Sequence, residues 1–257
     1  MNESADIPRG AGIPKEAGMA KGAGMAKGAI PVIAIDGPTA SGKGTIAAGV
    51  AKRLGFNYLD SGSLYRLVSL KAGDAGVDLA DEAALGGIAR SLKPSFQHGR
   101  ILLDGQDVTD PIRQESVGAA ASRLAVLGGV RSALVGLQRQ FRVAPGLVAD
   151  GRDMGTVIFP DAHLKIFLTA DVQSRAERRH KQLIEKGFSS SITSLLQVLR
   201  ERDERDANRA VSPLRAAEDA VVIDSTHLSI EQTIEQVLGA WLAVAGKAVA
   251  GSQVPDH

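Results

Sequence analysis

The 257-residue chain contains no cysteine. This absence excludes a disulfide framework, thiolate metal sites and cysteine nucleophiles, and it agrees with a reducing compartment. Long hydrophobic runs are also missing, because the longest ones fall far short of the roughly 18 residues that a membrane-spanning helix needs. We therefore expect a cytoplasmic protein that has no membrane partner.

The chain also has almost no net charge. Its 30 Lys and Arg residues balance 29 Asp and Glu residues, which leaves a formal charge of +1. Such a molecule has no overall field to concentrate nucleic acid, so no nucleic-acid partner is expected and any anion site must be built locally. The composition, 44% hydrophobic and 23% charged, is typical of a globular protein with one substantial core or a core with an inserted lobe.

The two ends of the chain differ from the rest. Residues 1–29 are rich in Gly, Ala, Lys and Pro and twice contain the sequence AGMAKG, without the apolar segment of a secretory signal. They predict a disordered N-terminal tail, and translation starting at Met19 or Met25 is an alternative left open. Residues 251–257 predict a flexible C-terminus.

From Pro31 onward, short apolar runs alternate with amphipathic stretches, which is typical of an α/β fold with a parallel sheet flanked by helices. Helices are expected to begin at Lys43 and Ser61, after Asp171 as a cap, and at the capping box from Ser229 to Gln232. The predicted strands are 32–36, 56–59, 146–150, 164–169 and 220–224.

One region interrupts this alternation. The spacing between Pro94 and Thr109 predicts a small antiparallel meander with turns at His98-Gly99 and Asp104-Gly105. Helical sequence follows over 112–141, and Gly128-Gly129 is expected to interrupt it. We interpret these segments as part of a lobe, residues 61–147, inserted into a core domain formed by residues 30–60 and 148–250.

A glycine-rich loop lies between the first predicted strand and its helix: Gly37-Pro38-Thr39-Ala40-Ser41-Gly42-Lys43-Gly44-Thr45. This context is typical of a phosphate-binding loop, in which backbone N–H groups and the lysine contact a polyphosphate. A glycine-rich turn with a surface lysine is the alternative, and the flanking elements and the spacing argue against it. The hydroxyl expected at Mg²⁺ comes from Thr45, one residue later than in the strict pattern.

The chemistry of the acceptor can be argued from charge. A hydroxyl acceptor needs a base to take its proton, whereas a phosphate is already an anion and needs cations that overcome its repulsion by the donor. Arginine suits this task because its planar fork meets phosphate oxygens in pairs. Arg66 and Arg152 follow predicted strands at the edge where open parallel sheets bind ligands. Two further clusters have helical spacing, although such clusters are more often solvated faces: Arg202, Asp206 and Arg209, and Arg175, Arg178 and Arg179.

Six segments together resemble bacterial cytidylate kinases: Ile35-Asp36-Gly37-Pro38, Gly42-Lys43-Gly44-Thr45, Asp60-Ser61-Gly62, Tyr65-Arg66, Gly151-Arg152-Asp153-Met154-Gly155-Thr156 and Arg202-Asp203-Glu204-Arg205-Asp206. The similarity runs from about Pro31 to the C-terminal helix. It implies a P-loop NTPase-type sheet with an inserted nucleoside-monophosphate lobe, a small meander and a short lid at 175–190. It also implies Mg²⁺-dependent transfer of the γ-phosphoryl group of ATP to CMP and dCMP, in pyrimidine nucleotide metabolism.

The same resemblance implies roles for individual residues. Arg66, Arg152 and Arg209 would hold the acceptor phosphate; Ser122, Arg131 and Asp153 would contact the cytosine edge; Arg202 and Asp206 would contact the pentose; Ser61 and Tyr65 would line the pocket; and Arg178 and Arg179 would belong to the lid at ATP. Asp150 resembles an acidic Walker-B position that orders water around the metal, and it is expected among the residues that bind CMP; a strand-terminating turn is the alternative role. The expected catalytic cations are Lys43, Arg66, Arg152, Arg202 and Arg209.

Three other readings of the same residues stay open at this point. The chain could be a P-loop kinase that phosphorylates the hydroxyl of a small metabolite, or one that acts on AMP or UMP. It could also be a nucleotide-binding regulatory module without turnover, which the many arginines make less attractive. Asp153 could be a turn residue or a helix cap instead of a base-reading group. We expect a monomer.

Overall fold

The centre of the protein is a five-stranded parallel sheet. The computed structural model describes residues 29–97, 100–185, 187 and 189–250, so the predicted tails and the His98-Gly99 turn lie outside the described residues. The sheet strands are β1 Val32–Asp36, β2 Asn57–Asp60, β6 Leu147–Gly151, β7 Leu164–Thr169 and β8 Val221–Asp224. A separate antiparallel sheet contains β3 Pro94–Gln97, β4 Arg100–Leu103 and β5 Gln106–Asp107. The predicted α/β fold, with its small antiparallel sheet, is confirmed.

Helices connect and cover the strands. They are α1 Lys43–Leu54, α2 Ser61–Asp74, α3 Glu82–Ser91, α4 Glu115–Leu124, α5 Gly128–Arg139, α6 Val172–Glu185, α7 Ile192–Asn208 and α8 Ile230–Ala250, with a 3₁₀ turn at Pro111–Arg113 and a π-helix at Met154–Ile158. In the described part of the chain no single helix is long and apolar enough to cross a membrane, and only the pair of α4 and α5, bent by 102°, passes that test together.

β1 is buried on both faces because helices cover the sheet from both sides. Ile33 and Ile35 face the cluster that includes Trp241 of α8, which packs edge-on against Phe56 with ring centroids 5.7 Å apart. Val32 and Ala34 face the opposite cluster, which extends into α2, α3 and α5. The strands lie in the order β2-β6-β1-β7-β8. Because they are parallel, their carboxyl ends form one edge of the sheet, where α1 and α2 begin.

Most predicted element boundaries agree with the structure to within a residue. The capping box is present, because the Gln232 N–H donates to the Ser229 hydroxyl at 3.1 Å and the Ser229 N–H donates to the Gln232 side chain at 2.9 Å. Asp171 accepts the Ser174 N–H at 2.9 Å, as its predicted capping role requires.

The predicted interruption at Gly128-Gly129 was wrong in its position. The chain leaves the helical path between Leu124 and Gly128, and the two glycines begin α5 instead of ending a helix. Helix starts leave N–H groups without intrahelical partners, and Glu82 of α3 accepts the Gly129 N–H at 2.6 Å. The neighbouring helix, which no local pattern reveals, therefore stabilises this start.

Gln138 provides a test of the core packing beneath α5. Its side chain is 1% exposed, and neither its amide oxygen nor its amide nitrogen has a hydrogen-bond partner among the described residues. An unpaired buried amide costs roughly 1–3 kcal/mol, so we expect Gln138→Leu to raise the free energy of unfolding by about 1 kcal/mol in urea titrations. Gln140→Leu, at an exposed position, is the control and is expected to change stability by less than about 0.5 kcal/mol. Loss of stability in Gln138→Leu would contradict this view of the core.

Candidate active site

One cavity opens at the carboxyl edge of the parallel sheet, between the β1–α1 loop, α2, α4 and α7. The structure brings to it all eleven residues predicted to bind CMP: Ser61, Tyr65, Arg66, Ser122, Arg131, Asp150, Arg152, Asp153, Arg202, Asp206 and Arg209. Thr39 and Lys43 of the glycine-rich loop line the same cavity, so the predicted donor and acceptor sides meet in one place.

The shape of the glycine-rich loop depends on two of its glycines. A Cβ atom at Gly37 would lie 2.1 Å from the carbonyl oxygen of Leu168 on β7, so a side chain cannot be placed there without moving the sheet. Gly42 has a φ of +87°, in the left-handed region that glycine adopts without strain. The Lys43 ammonium donates to the Pro38 carbonyl at 3.1 Å, which closes the loop around its own lysine.

Lys43 faces the buried carboxylate of Asp150, near the end of β6. Burial and the nearby Arg152 together lower the pKa of Lys43 to about 7, against the opposing effect of Asp150. Burial raises the pKa of Asp150 to about 7, Asp60 adds to the rise, and Lys43 opposes it. Tyr58 of β2 donates a hydrogen bond of 2.7 Å to Asp150 Oδ1 and orients the carboxylate. The charges of this pair therefore respond readily to a phosphate or a metal ion placed beside it.

Asp153 lies deeper in the cavity, beyond the end of β6. It forms a buried salt bridge with Arg131, and Arg209 Nη2 is 3.9 Å from its second oxygen. The Asp153 side chain caps no N–H of the π-helix that follows it, so the alternative role as a helix cap was wrong. Burial raises the pKa of Tyr65 to about 12, which keeps a neutral hydroxyl beside Arg131, 3.4 Å away.

The other cations surround the space between Asp153 and the loop. Arg152 Nε donates to Asp206 Oδ2 at 2.8 Å. Burial alone would raise the pKa of Asp206, but the guanidinium groups of Arg152, Arg202 and Arg209 together hold it below its usual value. Burial lowers the pKa of Arg202 to about 10, with Arg152 as the second cause. Arg66 donates to the Ile112 carbonyl at 2.8 Å and takes part in no ion pair among the described residues.

Positive charge exceeds negative charge around the cavity. Six cations and four carboxylates line it, so the formal excess is two: Lys43, Arg66, Arg131, Arg152, Arg202 and Arg209 against Asp60, Asp150, Asp153 and Asp206. Arg202 Nε and Arg209 Nη2 are buried without a hydrogen-bond partner in the part of the chain that the structure describes. Unpaired buried donors are costly, so the cavity is suited to anionic ligands that complete these bonds.

The two predicted lid arginines do not line the cavity. Arg178 contacts the outer side of the glycine-rich loop, where it donates to the Ser41 carbonyl at 3.4 Å and to the Ser225 hydroxyl at 3.2 Å. Arg179 extends the other way and pairs with Glu115 of α4. Arg209 follows α7 in an extended conformation instead of sharing its helical face with Arg202, because the helix ends at Asn208. Arg178, Arg179 and Arg209 remain candidates for the nucleotide contacts that the resemblance implies.

Sequence reasoning missed several groups that hold the site together. Arg175, interpreted as part of a solvated cluster, is 5% exposed; it pairs with Asp203 of α7 at 2.6 Å and donates to the Thr39 carbonyl at 3.1 Å. Tyr58 and Asp36 were not singled out as site residues. Helical spacing cannot show that α7 packs against α6, so only the tertiary structure reveals the role of Arg175. For Asp36, the one local signal of a role in the site was its position directly before Gly37.

Comparison with known proteins shows the family of this chain. The sequence model of the family described as cytidylate kinase matches residues 33–241. The chain is 59% identical over 215 residues to the cytidylate kinase of Bordetella bronchiseptica, covering 84% of this chain and 96% of that protein. It is also 59% identical over 217 residues to the cytidylate kinase of Burkholderia mallei, covering 84% of this chain and 95% of that protein. With the cytidylate kinase of Polynucleobacter asymbioticus it shares 59% identity over 210 residues, covering 82% of this chain and 96% of that protein. By its sequence over most of its length, the chain belongs to the cytidylate kinase family.

Proposed function

We propose that this protein transfers the γ-phosphoryl group of ATP to CMP and dCMP, with Mg²⁺, giving CDP or dCDP and ADP. The observation that supports this function best is that six cations and the Asp153 carboxylate line the same cavity as the glycine-rich loop. Relatives named cytidylate kinase, 59% identical to this chain, support the same substrate. The proposal includes a cytoplasmic location, a role in pyrimidine nucleotide metabolism and a monomeric chain.

On the donor side, the loop N–H groups and the start of α1 would bind the ATP phosphates. Lys43 would stay in contact with the γ-phosphoryl group as it is transferred. Thr45 and Asp150 offer the oxygen ligands that Mg²⁺ prefers. The described residues contain no group of three acidic or histidine ligands, so the nucleotide phosphates and water would complete the coordination of the ion. When bound, Mg²⁺ neutralises phosphate charge.

On the acceptor side, no general base is needed, because the phosphate of CMP is ionised at neutral pH. The obstacle is the repulsion between two anions that must come into line. Arg66, Arg152, Arg202 and Arg209 would offset this repulsion, and they would stabilise the charge that spreads over the transferring group. All four line one cavity: Arg66 lies on α2, Arg152 follows β6, Arg202 lies on α7 and Arg209 directly follows α7.

Selection of the base would depend on Asp153. As a carboxylate it accepts a hydrogen bond from the amino group of cytosine, whereas uracil presents an oxygen at the same place. Two acceptors facing each other would leave a buried group unpaired. Arg131 and Arg209 fix the orientation of the Asp153 carboxylate.

We further propose the division of the chain that the sequence predicts, with residues 61–147 as the acceptor lobe and 175–190 as the lid of a core formed by 30–60 and 148–250. The ion pair between Arg179 of α6 and Glu115 of α4 joins the lid to the lobe, which supports this division. Such a lid would exclude water, a rival nucleophile, from the transferring phosphoryl group.

The function is tested with a panel of acceptors. Purified protein is incubated with ATP, Mg²⁺ and either CMP, dCMP, UMP or AMP, and the diphosphate products are separated by chromatography. We expect kcat/KM for CMP and dCMP to exceed that for UMP and AMP by about tenfold or more, because one unpaired buried group costs roughly 1–3 kcal/mol. A preference for AMP would overturn the base-reading role of Asp153. Tight CMP binding without any product would favour a regulatory module.

The acceptor-side role of Arg152 is tested by Arg152→Met. We expect kcat to fall by about 100-fold or more while the affinity for ATP alone stays within about threefold, because the lost charge stands on the acceptor side. Steady-state kinetics and calorimetric titration with ATP measure the two quantities. Arg100→Met, at an exposed position of β4, is the matched control. Turnover close to that of the unchanged protein would remove Arg152 from the phosphate site.

A further inference from the structure

Asp36 is a buried carboxylate between the two halves of the site, and the function proposed above does not use it. It is the last residue of β1, directly before Gly37, and it is 5% exposed. Its Oδ1 accepts the N–H of Met154 and its Oδ2 accepts the N–H of Gly155, both at 2.8 Å. One side chain thus connects the start of the glycine-rich loop to the segment that follows Arg152 and Asp153.

The main chain alone does not hold that segment in place. The last rung between β1 and β6 joins Asp36 to Gly151, and beyond it the chain leaves the sheet. Asp153 then has a φ of −150° and a ψ of 27°, and its side chain caps nothing. Met154 and Gly155 begin a π-helix, whose first N–H groups lack partners within the helix. The two oxygens of Asp36 satisfy two of these groups and fix the direction of the chain.

The surroundings of Asp36 disfavour the charged carboxylate that accepts the two N–H groups. Burial raises the pKa of this carboxyl to about 6, and the carboxylate of Asp153 adds to the rise, while the two N–H donors and Lys43 oppose it. No ion pair of Asp36 is present among the described residues. Because the folded pKa exceeds the ordinary value of 3.8, the contribution of Asp36 to stability is present in full below pH about 3.8 and is lost as the pH rises through about 6. The contribution of Asp36 to stability is therefore smaller at neutral pH than in acid.

We propose that Asp36 is a positioning residue that holds Arg152 and Asp153 in register with the glycine-rich loop. The inference rests on the proposed function, because it assumes that Arg152 meets the acceptor phosphate and Asp153 meets the base. Asp36 itself does not line the cavity, so it acts through the backbone that it binds. By fixing this backbone, Asp36 sets the distance between the phosphates of the donor and the acceptor, and it sets the orientation of the Asp153 carboxylate toward the base.

The variant Asp36→Asn tests this role because it preserves the size of the side chain. Its amide oxygen can accept one N–H, but its NH₂ group then faces the second N–H as donor against donor. We expect kcat with CMP to fall by about 10- to 100-fold, since small misplacements of reacting groups have effects of that order. The preference for CMP over UMP is expected to shrink, while the affinity for ATP alone stays within about threefold. A role in folding alone would instead lower stability and leave the preference unchanged.

Asp81→Asn is the matched control. Asp81 caps α3 by accepting the Ala84 N–H at 2.9 Å, and it does not line the cavity. We expect this variant to lose stability without any change in the CMP to UMP ratio. An equal loss of preference in both variants would overturn the inference.

A second measurement does not depend on activity or on folding of the variant. In ¹⁵N-labelled wild-type protein, the amide proton signals of Met154 and Gly155 are expected to titrate together with a midpoint near pH 6, as the carboxylate that they bind takes up its proton. Constant amide signals, or an Asp36→Asn variant with unchanged kcat and preference, would overturn the inference. A wild-type protein that does not phosphorylate CMP would overturn the proposed function instead, whatever the titration shows.

Discussion

Positive charge kept away from water is the constraint on which the rest of this site depends. Lys43, Arg131 and Arg209 are buried, and three further guanidinium groups are half-buried around the same cavity. Like charges at such distances repel each other, and burial disfavours every one of them. The four carboxylates of the lining offset this cost only in part, since a formal excess of two positive charges remains. In the proposed function, the phosphates of the two nucleotides would complete the balance of charge.

The parallel sheet makes this accumulation of charge possible. Neighbouring strands end at one edge, so β1 and β6 deliver the glycine-rich loop and Arg152 to adjacent positions. Side chains that do not line the cavity then fix these groups: Asp36 binds the backbone after β6, Tyr58 orients Asp150, and Arg175 connects the loop to α7. Each joins elements far apart in the chain, and a rigid arrangement of this kind is what electrostatic catalysis requires.

Local patterns were sufficient to predict the parts of the site that lie near one another in sequence. The strand, loop and helix around Lys43 and the pair Arg152-Asp153 could be predicted because glycine, charge and periodicity carry the signal there. The start of α5 and the burial of Arg175 could not, because contacts with Glu82 and Asp203 determine them. Tyr58 and Asp36 were missed for the same reason. A residue that supports the site without lining it belongs to no local sequence pattern that would predict its role.

A crystal structure with CMP and a non-hydrolysable ATP analogue tests the central claim most directly. The account expects the CMP phosphate to accept hydrogen bonds from at least three of the guanidinium groups of Arg66, Arg152, Arg202 and Arg209, with the cytosine amino group on Asp153. The β- and γ-phosphates of the analogue are expected within the loop around Lys43. A pyrimidine bound away from this cavity, or an acceptor phosphate without arginine contacts, would contradict the account.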